Sequence, residues 1–360
     1  MAKVTVAKVG IVKHPIYLEH KTEIFHPENP ARLQAIYSML DEQDFDGALV
    51  NIEPRYAKLE ELLLVHDPYY VDRVLDSAEK TRVRFDPDTV TSPKTYKAAW
   101  MAAGGIMEAI RAVLAGEAAN AFALIRPPGH HALKDRAMGF CIFNNLAIGA
   151  RYALKAHGLE RVLIVDWDLH HGNGIQNIFY DDPRVLYFSP HRYPFFPWTG
   201  GAEEVGEGKG EGYTVNVPLE FGCSDTDYAN IFRNLLLPIA RRFRPEIVLV
   251  AAGFDIHKDD PLRSMTVTEA GFARMTDLLM EMARELCEGR LVLALEGGYN
   301  ADAMKDSVAM VLWELAGRSK INKDEMRQVE DAQSRNIVKT IDQVRNIQRK
   351  YWGDLEINGE

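Results

Sequence analysis

Four short apolar runs of this sequence each end in residues that can bind a metal or transfer a proton. The runs lead into residues 126–131, 166–174, 253–255 and 296–299. In an open α/β sheet the carboxyl ends of parallel strands meet at one edge, and ligands bind beyond that edge. If the four runs are parallel strands of one sheet, their carboxylates, imidazoles and phenol therefore face a common site.

The segment that begins at Asp166 has the spacing of a metal site. In extended backbone, residues two apart point the same way, so Asp166, Asp168 and His170 can face one point. Carboxylate and imidazole suit zinc, and a catalytic zinc has three protein ligands and one position open for water. Asp168 and His170 supply two ligands, and Asp255 is the candidate third. Ferrous iron suits the same ligands, so the sequence leaves the choice between these metals open.

Two adjacent histidines and a tyrosine complete the candidate chemistry. His130 and His131 follow a Pro-Pro-Gly turn, and imidazole titrates near neutral pH. Beside a metal, this pair can take a proton from water and return it to a leaving amine. Tyr299 follows two glycines, and its phenol can donate a hydrogen bond to a developing oxyanion. These residues predict a single-metal hydrolase that cleaves an amide bond in a small acyl-amine group.

The apolar runs alternate with helical patterns along the chain. Runs rich in β-branched or aromatic residues lie at 122–125, 162–165, 185–188, 247–250 and 291–295. Helical patterns lie at 95–114, 145–157, 228–243 and 268–287. Short, uniformly apolar strands separated by helices are typical of a parallel sheet covered on both faces. We therefore expect a single three-layer α/β/α domain with a mostly parallel sheet over residues 1–360.

The two ends of the chain carry weaker patterns. Alternation over residues 4–12 predicts an N-terminal strand, and Asn29-Pro30 predicts the start of a helix that extends to Leu40. Ile337, Ile341, Val344 and Ile347 form an apolar stripe at helical spacing. This stripe predicts a C-terminal helix over about 323–352 that packs on the domain.

Composition excludes several classes of function. The formal net charge is −10 without a cluster of Lys and Arg, so we expect no nucleic-acid partner. No apolar run approaches the ~20 residues that span a bilayer, and the first residues do not resemble a signal peptide. The three cysteines are far apart, which argues against a disulfide framework. These features favour a cytoplasmic protein without a membrane partner and leave its oligomeric state open.

The motifs resemble those of the histone deacetylase superfamily, which includes zinc-dependent histone deacetylases, acetylpolyamine amidohydrolases and bacterial acetoin-utilisation-type proteins. The likeness follows the family's order from about His14 to Asn300, through residues 126–131, 139–141, 166–174, 195–197, 253–255 and 297–299. It implies an arginase/deacetylase-like fold and a deacetylase that acts on an N-acyl-lysine-like amine. An acetylpolyamine or another small N-acyl-amine is the alternative substrate.

The resemblance also implies the cofactors. Asp168, His170 and Asp255 would bind one catalytic Zn²⁺. A structural K⁺ would lie nearby, held partly by backbone oxygens, in a site that involves Asp166, Asp168, His170 and Ser189.

Catalytic roles follow in the same way from the matching positions. His131 would be the main general base and acid, His130 would assist at the water, and Tyr299 would polarise the substrate carbonyl. Asp166 would orient His130, and Asn173 would orient His131. Asn173 stands where some members have aspartate, which resembles class II deacetylases and should leave His131 less basic.

The substrate positions include two departures from the family pattern. Gly139 would offer its backbone carbonyl to the substrate amide, and Phe140 and Phe196 would wall a narrow acyl-lysine tunnel. Trp198 stands where a glycine is usual, so its ring can narrow the rim or contact substrate. Leu262 stands where polyamine-selective relatives carry an acidic residue, which favours acyl-lysine-like substrates.

Other interpretations have recognisable requirements. An arginase-like enzyme needs a second metal and another aspartate two positions after Asp255, where this sequence has His257. A cysteine hydrolase needs a reactive Cys141, but apolar neighbours raise the pKa of a thiol. A phosphate-binding loop at 206–212 needs Ser or Thr after its lysine and a following helix. A protein that binds acyl-lysine without turnover stays open, although no candidate ligand, histidine or tyrosine is missing.

Overall fold

The sheet contains eight strands in the computed structural model, which describes residues 8–333 and 337–355. They are β1 (Val9–Val12), β2 (Leu49–Asn51), β5 (Asn120–Ala123), β6 (Val162–Asp166), β7 (Val185–Arg192), β8 (Thr214–Leu219), β9 (Ile247–Ala252) and β10 (Leu291–Leu295). Their spatial order is β2-β1-β5-β10-β9-β6-β7-β8, and every pairing is parallel. A separate antiparallel pair is formed by β3 (Val83–Arg84) and β4 (Val90–Thr91).

Helices connect and cover the strands. They are α1 (Pro30–Glu42), α2 (Leu59–Leu62), α3 (Pro68–Leu75), α4 (Thr95–Leu114), α5 (Asn145–Ala156), α6 (Asn173–Phe179), α7 (Asp225–Ile231), α8 (Leu237–Phe243), α9 (Glu269–Cys287), α10 (Ala301–Leu315), α11 (Lys323–Gln333) and α12 (Val338–Trp352). Helices α4 and α5 pack against each other and against the sheet, whereas α9 contacts β9 and β10 and packs against α10. The central strands are buried along their whole length, as expected when both faces are covered. The predicted α/β fold with a parallel sheet is confirmed.

Strand register brings the polar segments to one edge. Asp166 at the end of β6 pairs with Ala251, and Leu295 at the end of β10 pairs with Ala252. The three chain segments that follow β6, β9 and β10 therefore leave the sheet side by side. This alignment positions the candidate site described below.

The predicted strand boundaries differ at several strands, and β7 runs to Arg192, four residues past its predicted end. β5 begins two residues earlier than expected and ends at Ala123, while Leu124 and Ile125 are buried beyond its end. At the N-terminus, β1 covers Val9–Val12, and residues 4–7 of the predicted strand lie outside the described residues. The helix that follows starts as predicted, because the Asn29 side chain accepts a hydrogen bond from the Ala31 N–H.

The helical pattern predicted over 228–243 is present, but the helix is not regular. Helix α7, a π-helical turn over Phe232–Leu236 and helix α8 follow one another without a break. Pro238 has no N–H to donate to the carbonyl four residues earlier, so the regular hydrogen-bond ladder is interrupted before it. The Leu237 N–H accordingly bonds to the Phe232 carbonyl, five residues back.

The C-terminal segment forms two helices, α11 and α12, where one was expected. The apolar stripe belongs to α12, whose Ile341 and Val344 are buried and whose Gln348 donates to the Thr214 carbonyl at 3.1 Å. Helix α11 is held by charge instead, because buried Glu330 pairs with Arg274 at 2.7 Å. An apolar pattern could not show that α11 is a separate element. In the described part of the chain, no helix is both long and apolar enough to cross a bilayer.

Candidate metal centre and active site

Three of the predicted metal ligands come together at the sheet edge. Asp168 and His170 follow β6, Asp255 follows β9, and one ligand atom from each lies within 4.8 Å of the others. The His170 Nδ1 atom is 3.0 Å from Asp168 Oδ1 and 3.1 Å from Asp255 Oδ2. The ligand atoms meet as predicted, but β6 ends at Asp166 and the chain bends at residues 168–170, so this bend and not extended backbone brings Asp168 and His170 together.

Backbone donors hold the two carboxylates in place. The Leu169 N–H donates to Asp255 Oδ1 at 2.9 Å, and the Gly297 N–H donates to Asp168 Oδ2 at 2.9 Å. A Cβ atom at Gly297 would lie 2.5 Å from an oxygen of each carboxylate, so only glycine fits beneath them. Close packing against the two carboxylates thus explains the first glycine of the Gly-Gly pair before Tyr299.

The charge of this cluster fits a bound cation. Asp255 Oδ2 is buried and accepts no hydrogen bond from the described residues. Burial, and then the adjacent Asp168 carboxylate, raise the pKa of Asp255 to about 7. This is the electrostatic cost of two buried carboxylates without enough positive charge. Two carboxylates and one imidazole form a ligand set that zinc accepts.

The two histidines have different partners. His130 Nδ1 is 3.1 Å from Asp166 Oδ2, and that carboxylate oxygen also accepts from the Tyr187 hydroxyl at 2.9 Å. His131 Nδ1 is 2.8 Å from Asn173 Oδ1, at the start of α6. The predicted pairings of Asp166 with His130 and of Asn173 with His131 are therefore present as contacts.

These partners separate the protonation of the two rings. Burial lowers the pKa of His131 well below its usual value, and the neighbouring His130 and His170 lower it further. Burial also opposes the charge of His130, but the carboxylates of Asp168 and Asp166 outweigh it and raise the pKa of His130 to about 10. Such a pair can divide acid and base roles between two residues.

Tyr299 is held from three sides. Its N–H donates to Asp260 Oδ2 at 2.8 Å, its ring lies edge-on to Phe140 at 6.0 Å, and the Arg32 guanidinium lies 5.2 Å from the ring centre. Arg32 also donates to the backbone oxygens of Glu296 and Gly298. Burial, followed by the nearby carboxylates, raises the pKa of Tyr299 well above its usual value, so the phenol stays protonated.

The predicted tunnel residues lie next to the histidines. The Phe196 ring is edge-on to His131 at 5.2 Å and to His170 at 6.1 Å. Gly139 has a φ of 55°, and a Cβ atom there would lie 2.4 Å from His131 Cδ2. Glycine is therefore required beside the histidine, with Phe140 after it at a φ of 69°. Phe140 thus lies near Tyr299, and Phe196 lies near His131.

Two of the remaining predicted residues are exposed, and one is buried. Trp198 is 72% exposed with a φ of 67°, and Leu262 is 40% exposed. Leu262 is joined to the catalytic edge because its N–H donates to Asp260 Oδ1 at 2.9 Å. Ser189 is buried on β7, next to the Val165–Phe188 pairing that precedes Asp166. Its hydroxyl lies 2.9 Å from His191 Nδ1.

Sequence reasoning assigned no role to three buried supports of this site. Asp260 holds both the Tyr299 and Leu262 backbones, Glu296 Oε2 accepts from the Gly129 and His130 N–H groups, and Tyr187 holds Asp166. A carboxylate directly after a strand was a usable signal for Glu296. The tyrosine in the apolar run of β7 was another, since a buried hydroxyl needs a partner.

The structure also bears on the alternatives. Cys141 is buried, and burial raises the pKa of its thiol well above the usual value, which does not suit a nucleophile. At His257 the second aspartate of a two-metal hydrolase is replaced by a buried imidazole, 3.3 Å from Glu269. Residues 206–212 contain a short 3₁₀ turn and lead into β8, so no helix follows them as a phosphate loop would require.

Comparisons of sequence and of structure with known proteins agree on one protein family. A sequence profile described as histone deacetylase domain matches residues 26–315. The chain is 40% identical over 354 residues to a protein named probable deacetylase from Archaeoglobus fulgidus, covering 95% of this chain and 98% of that protein. A solved structure titled "Crystal Structure of HDA15 HD domain" matches with a TM-score of 0.88 and 38% identity, over 98% of this chain and 97% of that one.

Two longer relatives are named after different substrates. The chain is 41% identical to histone deacetylase 15 of Arabidopsis thaliana, covering 92% of this chain and 60% of that protein. It is 43% identical to polyamine deacetylase HDAC10 of Homo sapiens, covering 81% of this chain and 44% of that protein. The chain therefore spans less than two thirds of the length of either of these relatives.

Proposed function

Because the chain belongs to the histone deacetylase family, we propose that it is a zinc-dependent amidohydrolase that removes acetyl or related acyl groups from N-acyl-lysine-like amines. The observation that carries this proposal is the convergence of Asp168, His170 and Asp255 within 4.8 Å, beside the paired histidines. A bound Zn²⁺ would polarise the amide carbonyl and make a water more acidic.

The protein residues would move the protons. His131 is kept neutral by its surroundings and donates from Nδ1 to Asn173, so its Nε2 atom can accept a proton from water. The same Nε2–H would then protonate the leaving amine. Cleavage of the amide by one water thus gives a carboxylic acid and a free amine, with the proton carried by His131.

The substrate carbonyl would meet a donor on its other side. The Tyr299 phenol stays protonated and can donate to the carbonyl oxygen as negative charge develops there. Phe140 and Phe196 would hold the aliphatic stem of an acyl-lysine and keep bulk water from it. Gly139 would accept from the substrate amide through its backbone carbonyl. We further propose, on the resemblance alone, a structural K⁺ near Asp166, Asp168, His170 and Ser189.

The rim supports acyl-lysine over acetylpolyamine. A free polyamine carries further ammonium groups, and exposed Leu262 offers them no negative charge. A direct comparison of acetyl-lysine peptide and N-acetylspermidine, each with Zn²⁺, tests this preference by acetate release. We expect the peptide to have the higher kcat/KM. Leu262→Glu should raise kcat/KM for the polyamine by about fivefold, since a rim ion pair is worth about 1 kcal/mol, while Leu262→Gln should not.

A second outcome would favour the polyamine interpretation, to which the human relative's name points. Higher kcat/KM for N-acetylspermidine in the unaltered protein would overturn the preference for acyl-lysine but keep the amidohydrolase. Binding of acetyl-lysine peptide without acetate release in the presence of Zn²⁺ would instead leave a non-catalytic binding protein.

A further inference from the structure

A second cluster of metal-ligating side chains lies next to the proposed zinc site. His130, Cys141 and Glu296 each offer a ligand atom, these atoms lie within 4.8 Å of one another, and all three residues are buried. We propose that this cluster is an inhibitory site for a second, thiophilic divalent cation such as Cd²⁺ or excess Zn²⁺. The regulatory part of this inference rests on the proposed function, because it requires His130 to serve the reaction.

Each of the three side chains has an atom at which a cation can bind. Glu296 uses Oε2 for the Gly129 and His130 N–H groups, at 2.7 and 3.2 Å. Its Oε1 atom is buried without a hydrogen-bond partner among the described residues, which is costly for a carboxylate. His130 faces Asp166 through Nδ1, so a cation would bind at Nε2, where it replaces the proton that the ring carries there. The Cys141 thiol donates to the Gly139 carbonyl at 3.3 Å, and metal binding would replace this hydrogen bond.

The local charge permits a second cation. Asp166, Asp168, Asp255 and Glu296 are four buried carboxylates around the two sites. A single dication at Asp168, His170 and Asp255 does not neutralise all of them, and a thiolate at Cys141 would add further negative charge. His130 Nε2 is 3.9 Å from Asp168 Oδ1, so a ligand atom of the second cluster lies next to a ligand atom of the first. Pairs of metal ions about 3.5–4 Å apart are common in hydrolases.

The ligand types decide which cation fits. One sulfur, one imidazole nitrogen and one carboxylate oxygen suit Zn²⁺ and softer ions over Mg²⁺ or Ca²⁺. The proposed catalytic site contains no sulfur, so a cadmium–thiolate bond can form only at the second cluster or at another cysteine. Binding would release two protons to solvent, one from the Cys141 thiol and one from His130 Nε2, and would occupy both atoms. The ion would therefore inhibit hydrolysis without displacing the first metal.

The test adds Cd²⁺ to enzyme that already holds one metal ion per chain. We expect an ultraviolet charge-transfer band from one cadmium–thiolate bond, together with loss of acetate release over the same Cd²⁺ range. Cys141→Ala should abolish the band and raise the inhibitory Cd²⁺ concentration by about tenfold or more, since loss of even a residue that only orients a metal ligand typically costs that much affinity. Cys223→Ser is the matched control and should behave as the unaltered enzyme.

A second variant, and a readout that needs no turnover, separate failure of the second metal site from failure of the proposed function. Glu296→Gln keeps the thiol but should weaken Cd²⁺ binding in the same titration. A band that persists in Cys141→Ala, or no band in the unaltered protein, would overturn the site. The band needs no turnover, so a protein that binds Cd²⁺ through Cys141 but never releases acetate would fail the proposed function and keep the metal site.

Discussion

Removal of one hydroxyl should separate the role of Tyr299 from its packing. Tyr299→Phe keeps the ring, with its edge-on contact to Phe140 at 6.0 Å and the Arg32 guanidinium 5.2 Å from its centre. The backbone bond to Asp260 at 2.8 Å also stays. Only the donor to the developing oxyanion is lost. Loss of one such donor costs about 3–4 kcal/mol of transition-state stabilisation, or a fall in kcat of about 10²–10³-fold.

The assay is acetate release from an acetyl-lysine peptide over a range of substrate concentrations. In Tyr299→Phe, kcat should fall while KM changes much less, because the hydrogen bond strengthens only in the transition state. Tyr70→Phe is the control, since Tyr70 is also buried and its hydroxyl donates to the Ile142 carbonyl. That variant should lose stability and keep its kcat. A kcat for Tyr299→Phe within about threefold of the unaltered enzyme would refute the assigned role.

Three further predictions follow from the surroundings of single residues. His131→Ala should lower kcat by about 10²–10⁴-fold without loss of bound zinc, measured by acetate release and metal analysis; an unchanged kcat would remove it as the base. Asp260→Asn removes one of the two backbone hydrogen bonds that this side chain accepts and should lower kcat about tenfold at unchanged metal content. Asp259→Asn, at the exposed neighbouring residue, should leave kcat unchanged; equal effects of the two variants would contradict this. Neutral His66 accepts from the Asn144 N–H at 2.9 Å, and burial lowers its pKa to about 4. Its unfolded-state pKa is about 6.5, so its contribution is complete above that pH and declines as the pH falls towards 4. In urea unfolding, the unaltered protein should therefore lose stability between about pH 7 and about pH 5, and His66→Gln should lose about 2 kcal/mol less over the same interval. Equal losses in the two proteins would exclude this role of His66.

The parallel sheet was predictable because its strands are buried on both faces. The apolar runs at 162–165, 247–250 and 291–295 lie within β6, β9 and β10, and the polar residues after them mark the same edge. Strand polarity and loop position follow from this alternation alone. The order of the strands in space does not, since it depends on which helices pack together.

The parts that sequence reasoning missed depend on contacts between distant segments. Pro238 was visible in the sequence, yet a helical hydrophobic pattern continued through it, so the π-helical turn was not foreseen. Helix α11 is held by Glu330 and Arg274, which are 56 residues apart and carry no periodic signal. Ionic contacts of this kind are set by the fold and leave no local trace.

The candidate site also contains residues that the sequence predicted and residues that it did not. The residues expected to bind metal or move protons lie in the segments that follow β5, β6, β9 and β10, so the strand pattern predicted that they would come together. Asp260 and Tyr187 act through residues from other segments, and only the folded chain brings them together. The contact between Asp260 and Tyr299 joins loops that are 39 residues apart.

The central claim is that Asp168, His170 and Asp255 hold one catalytic cation. Anomalous diffraction at the zinc edge, from crystals grown with one equivalent of Zn²⁺, tests it most directly. We expect one strong anomalous peak about 2.0–2.2 Å from a ligand atom of each of the three residues. A peak elsewhere, or none at this position in protein that releases acetate, would contradict it.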